Sequence, residues 1–319
     1  MPKIFVIGGI TDSMKSRLES EFQLVYADDL ESPKSWLEKN GDGVPYVLTN
    51  GHDGIEDDYF ALLPNLKLIS NYGVGYDAIN VDMALEQNVL VTHTPGVLDA
   101  EVATTALLLL LSCFRELRAN ENHVRSGDWE AKGNFRLSRS ADNRKIGILG
   151  MGRIGRAIAG KLAPFQPEIF YHARNKRNVP YRYFESLEAM AGEADALICI
   201  TPGGESTRHL VNADILKALG PEGILINVSR GSVVDEKALI EALQNNALGA
   251  AGLDVFENEP HVPEALRLME NVVLVPHVGS ATVETRRAMG DLAVDNLVRH
   301  FADGSVISAV PEMARGKPA

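Results

Sequence analysis

Short apolar runs recur along the chain, separated by longer segments in which apolar positions return every three or four residues. In the second part these runs are Lys145–Leu149, Glu168–Tyr171, Ala196–Ile200, Ile224–Val228, Ala250–Val255 and Val272–Val275. A strand with one wet face alternates apolar and polar residues. These do not alternate, which predicts parallel strands covered on both faces by the intervening helices. Six such runs predict a doubly wound α/β sheet. The first part repeats the rhythm on a smaller scale, with Lys3–Ile7, Tyr46–Leu48, Lys67–Ser70 and Val89–Thr92. Between the two parts, Leu98 to about Arg125 reads as one long helix. Its Ala103–Leu111 stretch is too apolar for a surface helix and predicts burial between two domains. Val283–Phe301 has helical spacing and is expected to return to the first domain, giving residues 1–96 plus 286–319 as one domain and 97–285 as the other.

A chain of 319 residues suits two cores, and 45% apolar with 23% charged residues is the composition of a globular protein. The run Ala106–Cys113 falls far short of the roughly 20 residues a membrane-spanning helix needs. Ile4–Ile7, broken by Gly8 and Gly9, is too short for the core of a signal peptide, so a cytoplasmic protein is expected. The two cysteines, Cys113 and Cys199, sit in apolar stretches without the spacing of a disulfide framework or a zinc site, and no metal is expected. A net charge of −12 disfavours nucleic acid and anionic membranes as partners. An anionic ligand then needs local positive potential. No internal repeat is evident, and the tail Arg315–Ala319 is expected to fray.

Gly150-Met151-Gly152-Arg153-Ile154-Gly155 follows the predicted strand Lys145–Leu149 and opens the helical segment Arg156–Leu162. In that context G-x-G-x-x-G is a dinucleotide-binding turn. Its first glycine makes the turn, the second lets backbone approach a pyrophosphate, and the third allows close strand–helix contact. NAD sites place a carboxylate on the adenosine ribose at the end of the next strand. Here that strand runs into Ala173-Arg174-Asn175-Lys176-Arg177, without an acid. A guanidinium grips a 2′-phosphate that a carboxylate would repel, so NADP(H) is the expected cofactor.

Three further segments follow predicted strands: Asn227-Val228-Ser229-Arg230-Gly231, Gly252-Leu253-Asp254-Val255-Phe256-Glu257-Asn258-Glu259-Pro260, and Pro276-His277-Val278-Gly279-Ser280. Ligands of open α/β sheets bind at that edge. An arginine there suits a substrate carboxylate and carbonyl, and a histidine beside a carboxylate suits proton transfer to an alkoxide. His277 stands out among eight histidines because it ends an apolar strand and precedes a Gly-Ser turn. Glu257 and Glu259 compete for the carboxylate role, and Asp254 also suits the capping of a turn.

These residues resemble the D-isomer-specific 2-hydroxyacid dehydrogenases, over almost the whole chain. The resemblance implies two Rossmann-like domains, a doubly wound coenzyme domain and a smaller flavodoxin-like substrate domain. Asn71-Tyr72-Gly73-Val74-Gly75-Tyr76-Asp77 is similar to the family loop whose backbone N–H groups hold the substrate carboxylate, at Val74 and Gly75. The family's catalytic Arg, Glu and His fall on Arg230, Glu259 and His277, which decides for Glu259 over Glu257. Asp254 is implied to meet the nicotinamide carboxamide, with Thr104, Thr201, Pro202, Val228, Ser229 and Gly279 lining the cofactor. Tyr72 and Trp129, with Asn50, Gly51 and Met289, are implied to shape the substrate pocket; Trp129 stands where one branch places an aromatic from the partner subunit. The basic loop after Tyr171-His172 is similar to that same branch, the glyoxylate/hydroxypyruvate and hydroxyphenylpyruvate reductases. This implies a homodimer that reduces small 2-keto acids. With the sequence ending near Ala319, phosphoglycerate, the substrate of relatives that carry a regulatory domain, is not expected, and with Glu259 in place of the glutamine of formate dehydrogenases neither is formate. A corepressor-like dinucleotide sensor, or a reductase of arylpyruvates or 2-keto-sugar acids, is the alternative.

Overall fold

The computed structural model describes residues 1–315. The chain divides into two compact units, Met1–Leu98 with the segment from Thr282 onward, and Asp99–Ala281. The switch points thus lie at 98/99 and 281/282, where the sequence reading set 96/97 and 285/286. No helix among the described residues is long and apolar enough to cross a membrane.

The first unit carries β1 (Lys3–Val6), β2 (Gln23–Tyr26), β3 (Tyr46–Asn50), β4 (Leu68–Tyr72) and β5 (Leu90–Thr92), all parallel, in the order β2-β1-β3-β4-β5. That order is the flavodoxin-like one. β2 was not legible as a strand because its Gln-Leu-Val-Tyr sequence lies at a sheet edge, half exposed. On one face Phe5, Val47, Ile69 and Val91 pack against Phe60, Leu63 and Leu37. The helix Val283–Asp303 packs against β4 and against the helix Asp12–Leu18, and Arg17 of the latter donates to Asp291 at 2.8 Å and to Asp295 at 2.6 Å.

The second unit holds β6 (Lys145–Leu149), β7 (Glu168–His172), β8 (Arg182–Tyr183), β9 (Ala196–Cys199), β10 (Ile224–Asn227), β11 (Ala250–Leu253) and β12 (Val272–Leu274). The order β12-β11-β10-β9-β6-β7-β8 is the doubly wound arrangement with the reversal between β6 and β9. Seven strands stand where six were expected, because the two-residue β8 is too short and polar to register as an apolar run. The expected ends Ile200, Val228, Val255 and Val275 overran the observed ones, since apolar residues continue past the strands into loops.

The long helix expected from Leu98 to Arg125 is two helices, Asp99–Phe114 and Leu117–Arg125, broken where Glu116 takes a left-handed φ of 48°. The first packs against the helix Arg153–Leu162 and against β10 to β12, and its Ala103, Ala106, Leu109 and Leu110 are buried. Arg315 closes a short helix, Pro311–Arg315, rather than beginning a frayed tail; the rest of that expectation concerns residues 316–319, outside the described ones. Cys113 and Cys199 are free and buried, and burial pushes both thiols up to about 12.

Candidate active site

Register brings the motif-bearing loops of the second unit to one edge. Leu149 pairs with both His172 and Cys199, Asn227 with Cys199 and Leu253, and Leu253 with Leu274. The strands therefore end level. Gly150, Ala173, Ile200, Val228, Asp254 and Val275 all follow immediately on that common edge, with Thr201 one residue further on.

At Gly150, φ is +106°, and a Cβ would stand 2.6 Å from the Ile200 carbonyl oxygen. At Gly155, a Cβ would meet the Gly150 carbonyl oxygen at 2.2 Å, so the helix Arg153–Leu162 starts in contact with the turn. Gly152, the residue capping that helix, has nothing within 4 Å of its Cβ position. The turn is thus closed on the protein side and open at the helix N-terminus, the cradle a pyrophosphate requires. Met151 is buried beneath it, Ile154 is half-buried, and Arg153 lies 3.4 Å from Asp99. The buried Thr201 hydroxyl has no hydrogen-bond partner among the described residues, as a group reserved for a ligand would. These residues fit a dinucleotide. Pro202 accepts the Thr207 hydroxyl through its carbonyl at 2.9 Å, and the Thr104 hydroxyl donates to the Ala100 carbonyl at 3.0 Å.

After β7, Arg174, Asn175, Lys176 and Arg177 expose their side chains, and among the described residues no carboxylate pairs with the three cations. The backbone beneath them is held. The buried Tyr171 hydroxyl accepts the Arg177 N–H at 2.8 Å and donates to the Arg177 carbonyl at 3.0 Å, while the Tyr183 hydroxyl donates to the Ala173 carbonyl at 3.3 Å. Neither tyrosine was singled out from sequence; no local pattern links a strand residue to a turn six positions on.

Past β10, the buried Asn227 side chain shapes the turn that carries Arg230. Its Oδ1 accepts the Ser229 N–H at 3.1 Å and hydroxyl at 2.6 Å, and its Nδ2 donates to the Arg230 carbonyl at 2.9 Å. The guanidinium itself donates to the Ser229 carbonyl at 2.9 Å. Gly231 then packs so closely that a Cβ would stand 1.9 Å from the Phe256 carbonyl carbon. The Arg230 turn is thereby set against the loop after β11.

That loop separates the two glutamates that sequence chemistry left equal. His277 Nδ1 donates to Glu259 Oε2 at 2.7 Å, and Glu259 Oε1 accepts the Phe256 N–H at 3.0 Å. Glu257 instead receives the Nε2–H of His209, whose Nδ1 lies 4.0 Å from Asp235. The second His–carboxylate pair had no signal in the sequence, because His209 lies far upstream. His277 holds a left-handed backbone with φ 52°, fixed by its N–H donating to the Asp254 carbonyl at 2.8 Å. Asp254 is buried, and its two carboxylate oxygens accept the N–H groups of Val278 at 2.6 Å and Gly279 at 2.9 Å. Burial pushes the Asp254 carboxyl above the ordinary aspartate range, against the pull of those N–H donors and of His277. With Nδ1 engaged, His277 presents Nε2 from a ring that is 42% exposed. With Nδ1 held by Glu259, the imidazole can deliver a proton from Nε2. Among the described residues no group of His, Cys, Asp and Glu is placed to hold a metal ion.

In the first unit, Tyr72 ends β4 buried, its hydroxyl donating to the Arg286 carbonyl at 3.0 Å. Asn71 Nδ2 donates to the carbonyls of Gly73 at 2.9 Å and Gly75 at 2.8 Å, folding the loop Gly73–Gly75 back on itself. Asn50 at the end of β3 accepts the N–H groups of His52 and Asp53, both at 2.9 Å, ahead of which Gly51 begins the turn, and Met289 is buried in its helix. Trp129, on the helix Asp128–Lys132 of the second unit, is 57% exposed and donates to Asn134 at 3.2 Å.

Comparison with known proteins places these features in a family context. Residues 107–279 match the model of the D-isomer-specific 2-hydroxyacid dehydrogenase NAD-binding domain. The chain is 42% identical over 298 residues to a glyoxylate/hydroxypyruvate reductase A of Arabidopsis thaliana, covering 93% of this chain and 95% of the relative. It is 39% identical over 298 residues, with the same coverage of 93% and 95%, to a hydroxyphenylpyruvate reductase of Plectranthus scutellarioides. Among solved structures it is similar to an NADPH-dependent glyoxylate/hydroxypyruvate reductase from Sinorhizobium meliloti, crystallised with NADP and malonate. That likeness has a TM-score of 0.91, 45% identity, and coverage of 98% of this chain and 97% of that one.

Proposed function

Because the chain belongs to the D-isomer-specific 2-hydroxyacid dehydrogenase family, we propose that it reduces small 2-keto acids, glyoxylate and hydroxypyruvate foremost, to D-2-hydroxy acids at the expense of NADPH. The observation that carries the reading is the His277–Glu259 pair at 2.7 Å, held on the sheet edge where the glycine turn and Arg230 also end.

The nicotinamide supplies hydride to the keto carbon when bound. Arg230 binds the substrate carboxylate and draws electron density toward the carbonyl oxygen; in the first unit, the N–H groups of Val74 and Gly75 offer a carboxylate two donors. His277 enters the reaction as imidazolium and gives its Nε2 proton to the developing alkoxide. Glu259 holds the ring through Nδ1, before the transfer and after it. One hydride and one proton thus convert the keto group to a hydroxyl. Asp254 holds Val278 and Gly279 in place and meets the carboxamide side of the coenzyme, near Thr104, Thr201, Pro202, Val228 and Ser229. Tyr72 lines the substrate side in the first unit, and Trp129 supplies an aromatic to the site of the partner subunit. Support for NADPH over NADH comes from the unopposed cations Arg174, Lys176 and Arg177 at the end of β7, together with the NADPH dependence named for the Sinorhizobium relative.

The experiment is a panel of kcat/KM values for glyoxylate, hydroxypyruvate, hydroxyphenylpyruvate and 2-ketogluconate, each with NADPH and with NADH. The reading expects highest values for the two small acids with NADPH. A preference for the aryl acid would favour the second reading, which the Plectranthus relative motivates; no oxidation of either nucleotide would remove both. We further propose a cytoplasmic homodimer, with light scattering of the purified protein as the test of its mass.

A further inference from the structure

The loop Gly73–Val74–Gly75 takes its shape from donors placed behind it. The Gly73 carbonyl accepts from Asn71 Nδ2 at 2.9 Å and from the Thr94 N–H at 2.9 Å. The Val74 carbonyl accepts from His93 Nδ1 at 3.0 Å, and the Gly75 carbonyl from Asn71 Nδ2 at 2.8 Å. All three consecutive carbonyls are therefore drawn toward the body of the unit. In a trans peptide the carbonyl of one residue and the N–H of the next point in opposite directions. Drawing in the carbonyls of residues 73 and 74 turns the N–H groups of Val74 and Gly75 outward. Among the described residues neither N–H has an acceptor in the protein. Successive outward N–H groups form a concavity that attracts an anion.

The donors are themselves fixed. Asn71 is wholly buried, and His93 is only 6% exposed. A carbonyl only accepts, so the contact with Val74 requires the proton on Nδ1 of His93. The backbone of His93 is pinned on both sides, its N–H donating to the Ser308 carbonyl at 3.1 Å and its carbonyl accepting the Ser308 hydroxyl at 2.6 Å. Ser308 is in turn held by the buried Asn296, whose Nδ2 reaches its hydroxyl at 2.9 Å and whose Oδ1 accepts its N–H at 3.1 Å. The Tyr76 ring stands edge-on to the imidazole with centroids 5.3 Å apart.

We propose that Asn71 and His93 are positioning residues that aim the Val74 and Gly75 N–H groups at the substrate carboxylate. The inference rests on the reading that this loop binds the carboxylate, and deepens it. A carboxylate held alike in the ground state and the transition state contributes to KM and not to kcat. Loss of the aim should therefore raise KM alone.

The test compares His93→Phe, His93→Asn and Asn71→Ser with Gly75→Pro, which deletes one of the N–H donors outright. Phe keeps the ring against Tyr76 and removes the donor, whereas the Asn amide nitrogen can stand near the position of Nδ1. His93→Phe should raise the KM for glyoxylate, and the inhibition constant of oxamate in parallel, by roughly 3- to 10-fold, the worth of one hydrogen bond. Its kcat and NADPH affinity should stay within about twofold. His93→Asn should recover most of the loss, and Asn71→Ser, which forfeits two contacts, should exceed it. If Gly75→Pro raises KM while His93→Phe and Asn71→Ser do not, the positioning proposal falls and the loop reading stands. If Gly75→Pro also leaves KM unchanged, the loop reading falls. Should His93→Phe fail to fold, a rise in KM in Asn71→Ser supports the proposal and its absence overturns it. Failure of His93→Asn to recover KM where His93→Phe is folded assigns the histidine to packing, against the proposal.

Discussion

Replacing Gly231 by Ala adds one methyl group where the Arg230 turn meets the loop that carries Glu259. The Gly231 φ lies outside the left-handed region, so only space opposes the substitution. The new Cβ would start 1.9 Å from the carbonyl carbon and oxygen of Phe256 and 2.4 Å from the Glu257 nitrogen. Ordinary contact begins at 3.4 Å, so one backbone must retreat by about 1.5 Å. No flexible side chain stands there to absorb the movement. The Phe256 N–H is the donor to Glu259 Oε1, and Glu259 Oε2 orients His277, so the displacement passes to the acid in two hydrogen bonds. A misplacement of about 1 Å in a catalytic constellation costs on the order of 100-fold in rate. Overpacking of this kind also costs ~1–3 kcal/mol of stability. We expect kcat/KM for glyoxylate to fall about 100-fold, Tm to drop by a few degrees, and NADPH affinity, measured by coenzyme fluorescence, to persist. A folded Gly231→Ala enzyme with kcat/KM within about threefold of wild type would refute the claim that this contact registers the two loops.

Removing the His277 imidazole with His277→Ala should lower kcat by roughly 10²- to 10⁴-fold, with KM changed far less; near-normal steady-state turnover would take proton transfer away from this residue. The two glutamates should part company, Glu259→Gln lowering kcat at least about tenfold more than Glu257→Gln, because only Glu259 touches His277. The triple variant Arg174→Ala, Lys176→Ala, Arg177→Ala should cut kcat/KM with NADPH by about 10- to 100-fold and leave NADH unaffected, and an equal loss with both nucleotides would contradict the phosphate role. The folded chain keeps the Cys113 and Cys199 protons up to about 12, while an unfolded thiol ionises from 9.0. Stability should therefore decline as pH rises across that window, and both thiols should resist a disulfide reagent at neutral pH until denaturant is added.

The strands buried on both faces, such as Lys145–Leu149 and Ala196–Cys199, were legible because an uninterrupted apolar run of that length, bounded by turn residues, suits little except a strand covered from above and below. The edge strands Gln23–Tyr26 and Arg182–Tyr183 were not, since an edge needs little apolar surface and β8 offers almost none. The break at Glu116 escaped notice because a left-handed glutamate leaves no compositional mark, unlike a glycine or proline. Within the candidate site, residue types and strand ends singled out Arg230 and His277, but which of Glu257 and Glu259 meets His277 was a question of side-chain direction. Two residues apart on one loop, they reach different histidines. Of the props behind the loops, Asn71 and Asn227 act on residues two to four positions on, whereas Tyr171 and His93 lie in ordinary strand or turn sequence and only the fold reveals what they hold.

The Tyr171 hydroxyl clasps Arg177 through that residue's main-chain atoms alone. The contour of this loop is consequently independent of the charges mounted on it. Nucleotide preference becomes an exchangeable cargo: an acid grafted at position 174, with neutral residues at 176 and 177, should inherit a ready-made platform for the ribose hydroxyls, without remodelling of the chain beneath. Kinetics of such a graft with NADH, beside the same graft carrying Tyr171→Phe, would measure what the platform contributes.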